Sequence, residues 1–165
     1  MNYESVNSLA DFEFHDAELS FISLKNGTLT ISAKYLNIHK GTAQNSLDKD
    51  MEIDLATLTF DGFSLIEYEP GRKWKQDENG NWHTDEPLVI YTGSQAEDLF
   101  LRDLKFQTVV FDFGMLEDMQ YYLDGMGENP FFTARFSFDK CTVHWDSFRK
   151  ESWYKKFLHF TTQNN

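Results

Sequence analysis

The chain has 165 residues, of which 41% are hydrophobic, 16% aromatic and 25% charged, enough apolar surface for one domain, expected to span residues 1–165, with a core of its own. Lysine and arginine number 15 against 27 aspartates and glutamates, a formal net charge of −12, which argues against nucleic acid or an anionic membrane as partner because counterion release needs a cationic face. A single cysteine, Cys141, excludes an internal disulfide and any multi-cysteine metal site, and with neither a basic, apolar leader nor a run of roughly 18 apolar residues the expected compartment is cytoplasmic.

In chain order, the first expected element is a hairpin. Leu19 and Phe21 lead into Lys25-Asn26-Gly27-Thr28, after which Leu29, Ile31, Ala33 and Tyr35 share one face against Thr28, Thr30, Ser32 and Lys34. Asn-Gly suits the two positive φ angles of a type I′ turn, whose twist matches the flanking strands. Residues 41–50 are polar without a period and read as a mobile loop. A second hairpin is expected at Asp61-Gly62, entered through Leu58 and Phe60 and left through Phe63, Leu65, Ile66 and Tyr68. A third surrounds Glu78-Asn79-Gly80-Asn81, with Trp74 and Trp82 paired across the turn or seated at one end of the sheet.

Leu88-Val89-Ile90-Tyr91 reads as a strand, and Ser94-Gln95-Ala96-Glu97 has the form of a capping box that predicts a helix over Gln95 to Leu104. Gln107 to Phe113 is apolar on nearly both parities, as in a central strand covered on two sides. Met115, Leu116, Met119 and Leu123 fit a helical face ending at Gly125, with a strand over 119–123 as the alternative. Phe132, Ala134, Phe136 and Phe138 then alternate with polar residues, and the pattern resumes as Cys141, Val143 and Trp145 against Thr142, His144 and Asp146. These segments read as adjacent strands with a tight connection, each with one buried face. Trp153 to Phe160 fits a short helix or an edge strand. The fold class expected is α+β: a mostly antiparallel sheet, curved or folded into a sandwich, with one or two short helices.

Candidate chemistry is sparse. His144 and Asp146 fall on one side of a strand, where they could orient an imidazole or ligate a metal, yet alternation alone places them there. His15 faces opposite to Asp16 and Glu18, poor geometry for a single centre. Cys141 shares the apolar parity of Val143 and Trp145, where a thiol is inert. No nucleophile elbow, phosphate-cradling glycine loop, dinucleotide fingerprint or paired-histidine zinc helix occurs, and Asp48 to Asp54 lacks the glycine and terminal glutamate of a calcium loop. No catalytic residue, metal ligand or cofactor is expected.

The aromatic and acidic residues point to binding instead. Most of the 16 Phe, seven Tyr and four Trp occupy apolar parities, but Trp74 and Trp82 flank a turn that carries Asp77, Glu78, Asp85 and Glu86. Large rings in acidic surroundings have the composition of a hot spot for a cationic protein partner, so these six are the expected partner-binding residues. Cross-strand tryptophan packing within the hairpin is the structural alternative. Acidic clusters also recur at Asp48 to Asp54, Glu97 to Asp103 and Glu117 to Glu128, and a potential of one sign speeds capture of an opposite partner.

The segment Asp11-Phe12-Glu13-Phe14-His15-Asp16-Ala17-Glu18-Leu19 with its following hairpin, and the late Phe136-Ser137-Phe138 to His144-Trp145-Asp146 pairing, are similar to patterns in bacterial domains of this size. Small, acidic, aromatic-rich and without a catalytic motif, the chain resembles the immunity proteins that protect bacteria from their own polymorphic or contact-dependent growth-inhibition toxins. The resemblance implies a non-enzymatic protein in a tight complex with a cognate cationic toxin domain, commonly a basic nuclease, whose active site is covered or whose substrate access is blocked. The competing readings are a β domain that binds a small apolar ligand between its aromatic faces and, behind it, an enzyme using His144 and Asp146.

Overall fold

The structure, a computed structural model, describes residues 2–154. Its first half contains β1 (Tyr3–Val6), β2 (Phe12–Glu13), β3 (Glu18–Lys25), β4 (Thr28–Lys34), β5 (Asn37–Ile38), β6 (Met51–Ile53), β7 (Ala56–Asp61) and β8 (Ser64–Pro70). The second half contains β9 (Lys75–Gln76), β10 (Trp82–His83), helix α1 (Gly93–Phe106), β11 (Thr108–Met115), β12 (Gln120–Met126), β13 (Phe132–Ser137), β14 (Lys140–Trp145) and β15 (Phe148–Glu151). Nine strands form one sheet in the order β1-β14-β7-β4-β3-β11-β12-β13-β8, and β15-β6-β5-β2 form a second, smaller one. Neighbours pair antiparallel throughout, so the expected α+β architecture is what forms. Among the described residues no helix is long and apolar enough to cross a membrane.

The β3–β4 hairpin turns where expected, with φ of 52° at Asn26 and 74° at Gly27. The other two tight connections do something different. The chain turns at Asp61-Gly62, but β7 lies between β14 and β4 while β8 is the far edge of the sheet beyond β13. Likewise β13 pairs with β12 and β8, whereas β14 pairs with β7 and β1. Neither pair of sequence neighbours is a hairpin; both connections carry the chain from one half of the sheet to the other. They lie side by side: Asp139 N donates to Asp61 O at 2.8 Å, and Phe63 N to Gly27 O at 2.8 Å. Gly62 belongs there, since its φ is 67° and a Cβ would stand 2.1 Å from the Asp139 carboxylate. Alternation reports which face is buried, and two strands that face each other across a core alternate as two that pair do.

The outcome is a sheet coiled until the inner faces of β7 and β13 meet. The Phe60 ring lies 6.1 Å from Phe136 and 5.0 Å from Phe138. Phe136 is also 5.7–6.3 Å from the rings of Phe63, Phe100, Phe113 and Tyr121. Helix α1 lays Ala96, Phe100 and Leu104 against β8 and β3 and covers the gap between the two halves. The void left inside is about 10 Å³, about the volume of one water-sized sphere. An open cavity of about 430 Å³ lies farther along, lined by Phe12, Phe14, Phe113, Met115, Met119 and Tyr121. The smaller sheet adds Phe12, Ile38 and Ile53 to the same cluster, next to Trp145.

Several local expectations change. Helix α1 starts at Gly93 behind Thr92, which places Ser94 inside the first turn, and no side-chain cap bond forms there. Leu88, Val89 and Ile90 are exposed, and only Tyr91 bridges to β8, through Tyr68. Residues 115–123 do not form the expected helix: a 3-10 turn over Glu117–Met119 leads into β12, where Tyr121 and Leu123 alternate inward. Among the described residues no second layer covers the outer face of β11; the Phe111 ring meets Phe131 at 5.5 Å. Residues 41–50 lack regular structure, and fully buried Asn45 ties the loop together by donating to the carbonyls of Ile38, His39 and Lys49 at 3.0–3.3 Å. The element expected over 153–160 lies, from residue 155 on, outside the described residues.

Candidate binding surface

The six expected partner-binding residues sit on an arm, residues 71–90, that leaves the end of β8 and returns at Tyr91. Its base is fastened by Gly71 N donating to Phe131 O at 2.6 Å and by paired Tyr68–Tyr91 backbone bonds of 2.9 and 3.0 Å. At its tip β9 and β10 form a ladder in which Trp82 opposes Gln76 and His83 opposes Lys75. Trp82 is therefore not the cross-strand partner of Trp74. The two rings are 64% and 53% exposed, as an anchor reading requires.

The carboxylates of the arm are mostly occupied. Asp77 accepts from the backbone N–H of Asn81 at 2.8 Å and of Asn79 at 2.9 Å, and from the Asn81 amide at 3.2 Å. These bonds, those from Asn81 foremost, hold its carboxyl below the ordinary range and assign it to building the turn. Glu86 accepts from Lys73 N at 2.8 Å, and Asp85 lies 3.6 Å from Lys75 Nζ. Glu78 is exposed at the turn. Arg72, Lys73 and Lys75 stand among these acids, with the Arg72 guanidinium 5.5 Å over the Trp74 ring. The arm is thus an aromatic element of nearly balanced charge, and its carboxylates do not form the free acidic set that composition suggested.

A second surface adjoins the arm. On the outer face of β11, β12, β13 and β8, registers place Asp112 opposite Asp124, Asp124 opposite Thr133 and Thr133 opposite Glu69. Three carboxylates therefore lie in one row across four strands, the first two on neighbouring strands about 4.8 Å apart. Like charges directly opposite are destabilising, and among the described residues none of the three pairs with a cation. In the next row, by contrast, Glu67 holds Arg135 at 3.2 Å. Thr133 Oγ1 donates to Asp124 at 2.6 Å and the Tyr122 hydroxyl to Asp112 at 2.9 Å, the latter bond raising the Tyr122 phenol above its usual range. Beside this row stand Phe111 and Phe131, the latter 57% exposed.

The position of Phe131 is fixed from inside. Asp103, grouped above with the acidic clusters, is completely buried. Its carboxylate accepts from the Tyr68 hydroxyl at 2.5 Å and from Asn129 N at 2.9 Å, while the Asn129 amide donates to the Tyr68 oxygen at 2.8 Å. Burial, then the neighbouring carboxylate, drives the Tyr68 phenol far above its usual range. On the rim, Arg102 pairs with Glu128 at 2.6 Å. This network locks residues 127–130, the turn that delivers Phe131. Asp103 follows Ala96 by seven residues and Phe100 by three, the spacing of the buried face of α1, a cue hidden by its membership of an acidic cluster.

The remaining chemistry-bearing residues have structural partners. His144 Nε2 lies 3.4 Å from Glu4 on the paired strand β1, and Asp146 follows the end of β14. His15 Nδ1 donates to the Phe111 carbonyl at 2.7 Å, at the β11 bulge, and that bond raises its pKa, aided by Asp16 and opposed by partial burial. Burial pushes the Cys141 thiol up to about 12, with Asp61 adding to it. Among the described residues no group of three or more His, Cys, Asp or Glu is placed to hold a metal ion. Set against protein-family models, curated proteins and solved structures, the chain matches none.

Proposed function

We propose that the chain is a non-catalytic, cytoplasmic immunity protein that binds a cognate cationic toxin domain, such as a basic nuclease, and neutralises it by occupying its surface. The observation that carries this reading is the arm. The arm sets Trp74, Trp82, Leu88 and Ile90 in water, where they add nothing to the core, and clustered exposed apolar side chains mark protein interfaces. A net charge of −12 supports steered encounter with a basic partner. Capture then proceeds by long-range attraction followed by burial of the rings, with carboxylates standing where nucleic-acid phosphates would lie on a nuclease. No bond is made or broken.

The test is co-expression with the product of the adjacent reading frame, followed by size exclusion and growth rescue. A one-to-one complex and rescue are expected. Trp82→Ala should speed dissociation by about 30-fold, equivalent to the ~2 kcal/mol of a hot-spot ring, whereas Glu78→Lys should chiefly slow association and flatten its salt dependence. If no neighbour is toxic and no complex forms, the reading fails, and a domain binding a small ligand at its surface is the better account.

A further inference from the structure

The geometry points to a specific occupant for the outer notch beside the packed Phe111–Phe131 pair: an arginine or lysine side chain of the protein partner. This inference rests on the binding reading above and names the chemistry of the contact.

The notch has apolar walls and an acidic mouth. The two rings pack on each other, centroids 5.5 Å apart at 31°, and together form its apolar side; Gly125 and Phe132 also line it, with Asp124, Thr133 and Glu69. Gly71 lets the end of β8 pass close by, since a Cβ there would meet Phe131 Cβ at 2.4 Å. A long cationic side chain fits both features, its methylenes lying along ring faces and its head reaching carboxylates, with attraction to the ring quadrupole added. An anionic side chain would meet the row Asp112, Asp124 and Glu69. A purely apolar one would leave those charges unanswered as water is expelled.

Among the described residues Arg135 pairs with Glu67 and Arg102 with Glu128, Arg72 lies over Trp74, and none of them pairs with Asp112, Asp124 or Glu69. A partner's cation would therefore relieve the repulsion between Asp112 and Asp124. The buried Asp103 network fixes the turn before Phe131, so the notch is formed before binding and little ordering is required.

The experiment is an NMR titration of the isotope-labelled full chain with the amide of Gly-Arg-Gly, with Gly-Gly-Gly and Gly-Glu-Gly amides as controls. Backbone shifts should concentrate at Phe111, Asp124, Gly125 and Phe131. Asp124→Asn, Glu69→Gln and Phe131→Ala should each weaken binding at least threefold with dispersion retained, whereas Asp98→Asn, exposed on α1, should leave it unchanged. Shifts spread evenly over Asp48 to Asp54 and the arm, or equal affinity for the notch variants, overturn the inference. A toxin complex that forms undiminished with Phe131→Ala and Asp124→Lys also overturns the notch while leaving the immunity reading intact. Peptide binding at the notch with no toxic neighbour does the reverse.

Discussion

Replacing Phe136 by alanine removes the ring on which the coiled sheet closes. The side chain is 3% exposed and lies within 6.3 Å, centroid to centroid, of Phe60, Phe63, Phe100, Phe113, Tyr121 and Phe138. A large aromatic buries on the order of 200 Å², which at roughly 25 cal/mol per Å² is about 5 kcal/mol. Measured Phe→Ala costs of about 3–5 kcal/mol span the same range. Those six neighbours come from both halves of the sheet and from α1, so the site cannot collapse by moving one element, and the upper part of the range applies. For a chain of this length about 2–4 °C of melting temperature is lost per kcal/mol, a fall of roughly 8–20 °C for about 4–5 kcal/mol, read by thermal and urea unfolding. Phe131→Ala, with its ring mostly in water, is the internal comparison and should shift the midpoint by less than about 2 °C. If both variants melt within 2 °C of wild type, the coiling of the sheet around Phe136 is wrong.

Asp103→Ala should orphan the Tyr68 hydroxyl and Asn129 N–H and cost roughly 2–5 kcal/mol, with faster hydrogen exchange at residues 127–131 as the local signature. His15 has a folded pKa above the usual 6.5, so its contribution is complete below about pH 6.5 and fades as pH rises through the folded value; the stability gap to His15→Gln in urea should accordingly shrink between pH 6 and pH 9. Cys141 should resist a thiol reagent in the native state and react only as the chain unfolds; fast labelling of folded protein would contradict its burial. His144→Ala and Asp146→Ala should leave toxin capture and growth rescue unchanged, and loss of either activity in a folded variant would reinstate an enzyme.

Short-range chemistry was legible in the residues themselves. Asn26-Gly27 requires a turn with two positive φ angles whatever surrounds it, and the alternation of Phe132 to Trp145 assigns each side chain a buried or wet face because a strand has only two. The antiparallel α+β character and the inertness of Cys141 follow from the same local rules. The partners of each strand do not: period two is identical for β13 beside β14 and for β13 facing it across the core, and only the packing of Phe60 on Phe136 and the intervening helix selects the second. Likewise the composition of residues 74–86 could report rings and acids but not that Asp77, Asp85 and Glu86 would be taken up by Asn81, Lys75 and Lys73. The row Asp112, Asp124 and Glu69 draws on three strands whose register depends on the whole sheet, so the acidic face beside Phe111 and Phe131 comes into being only when the chain has folded.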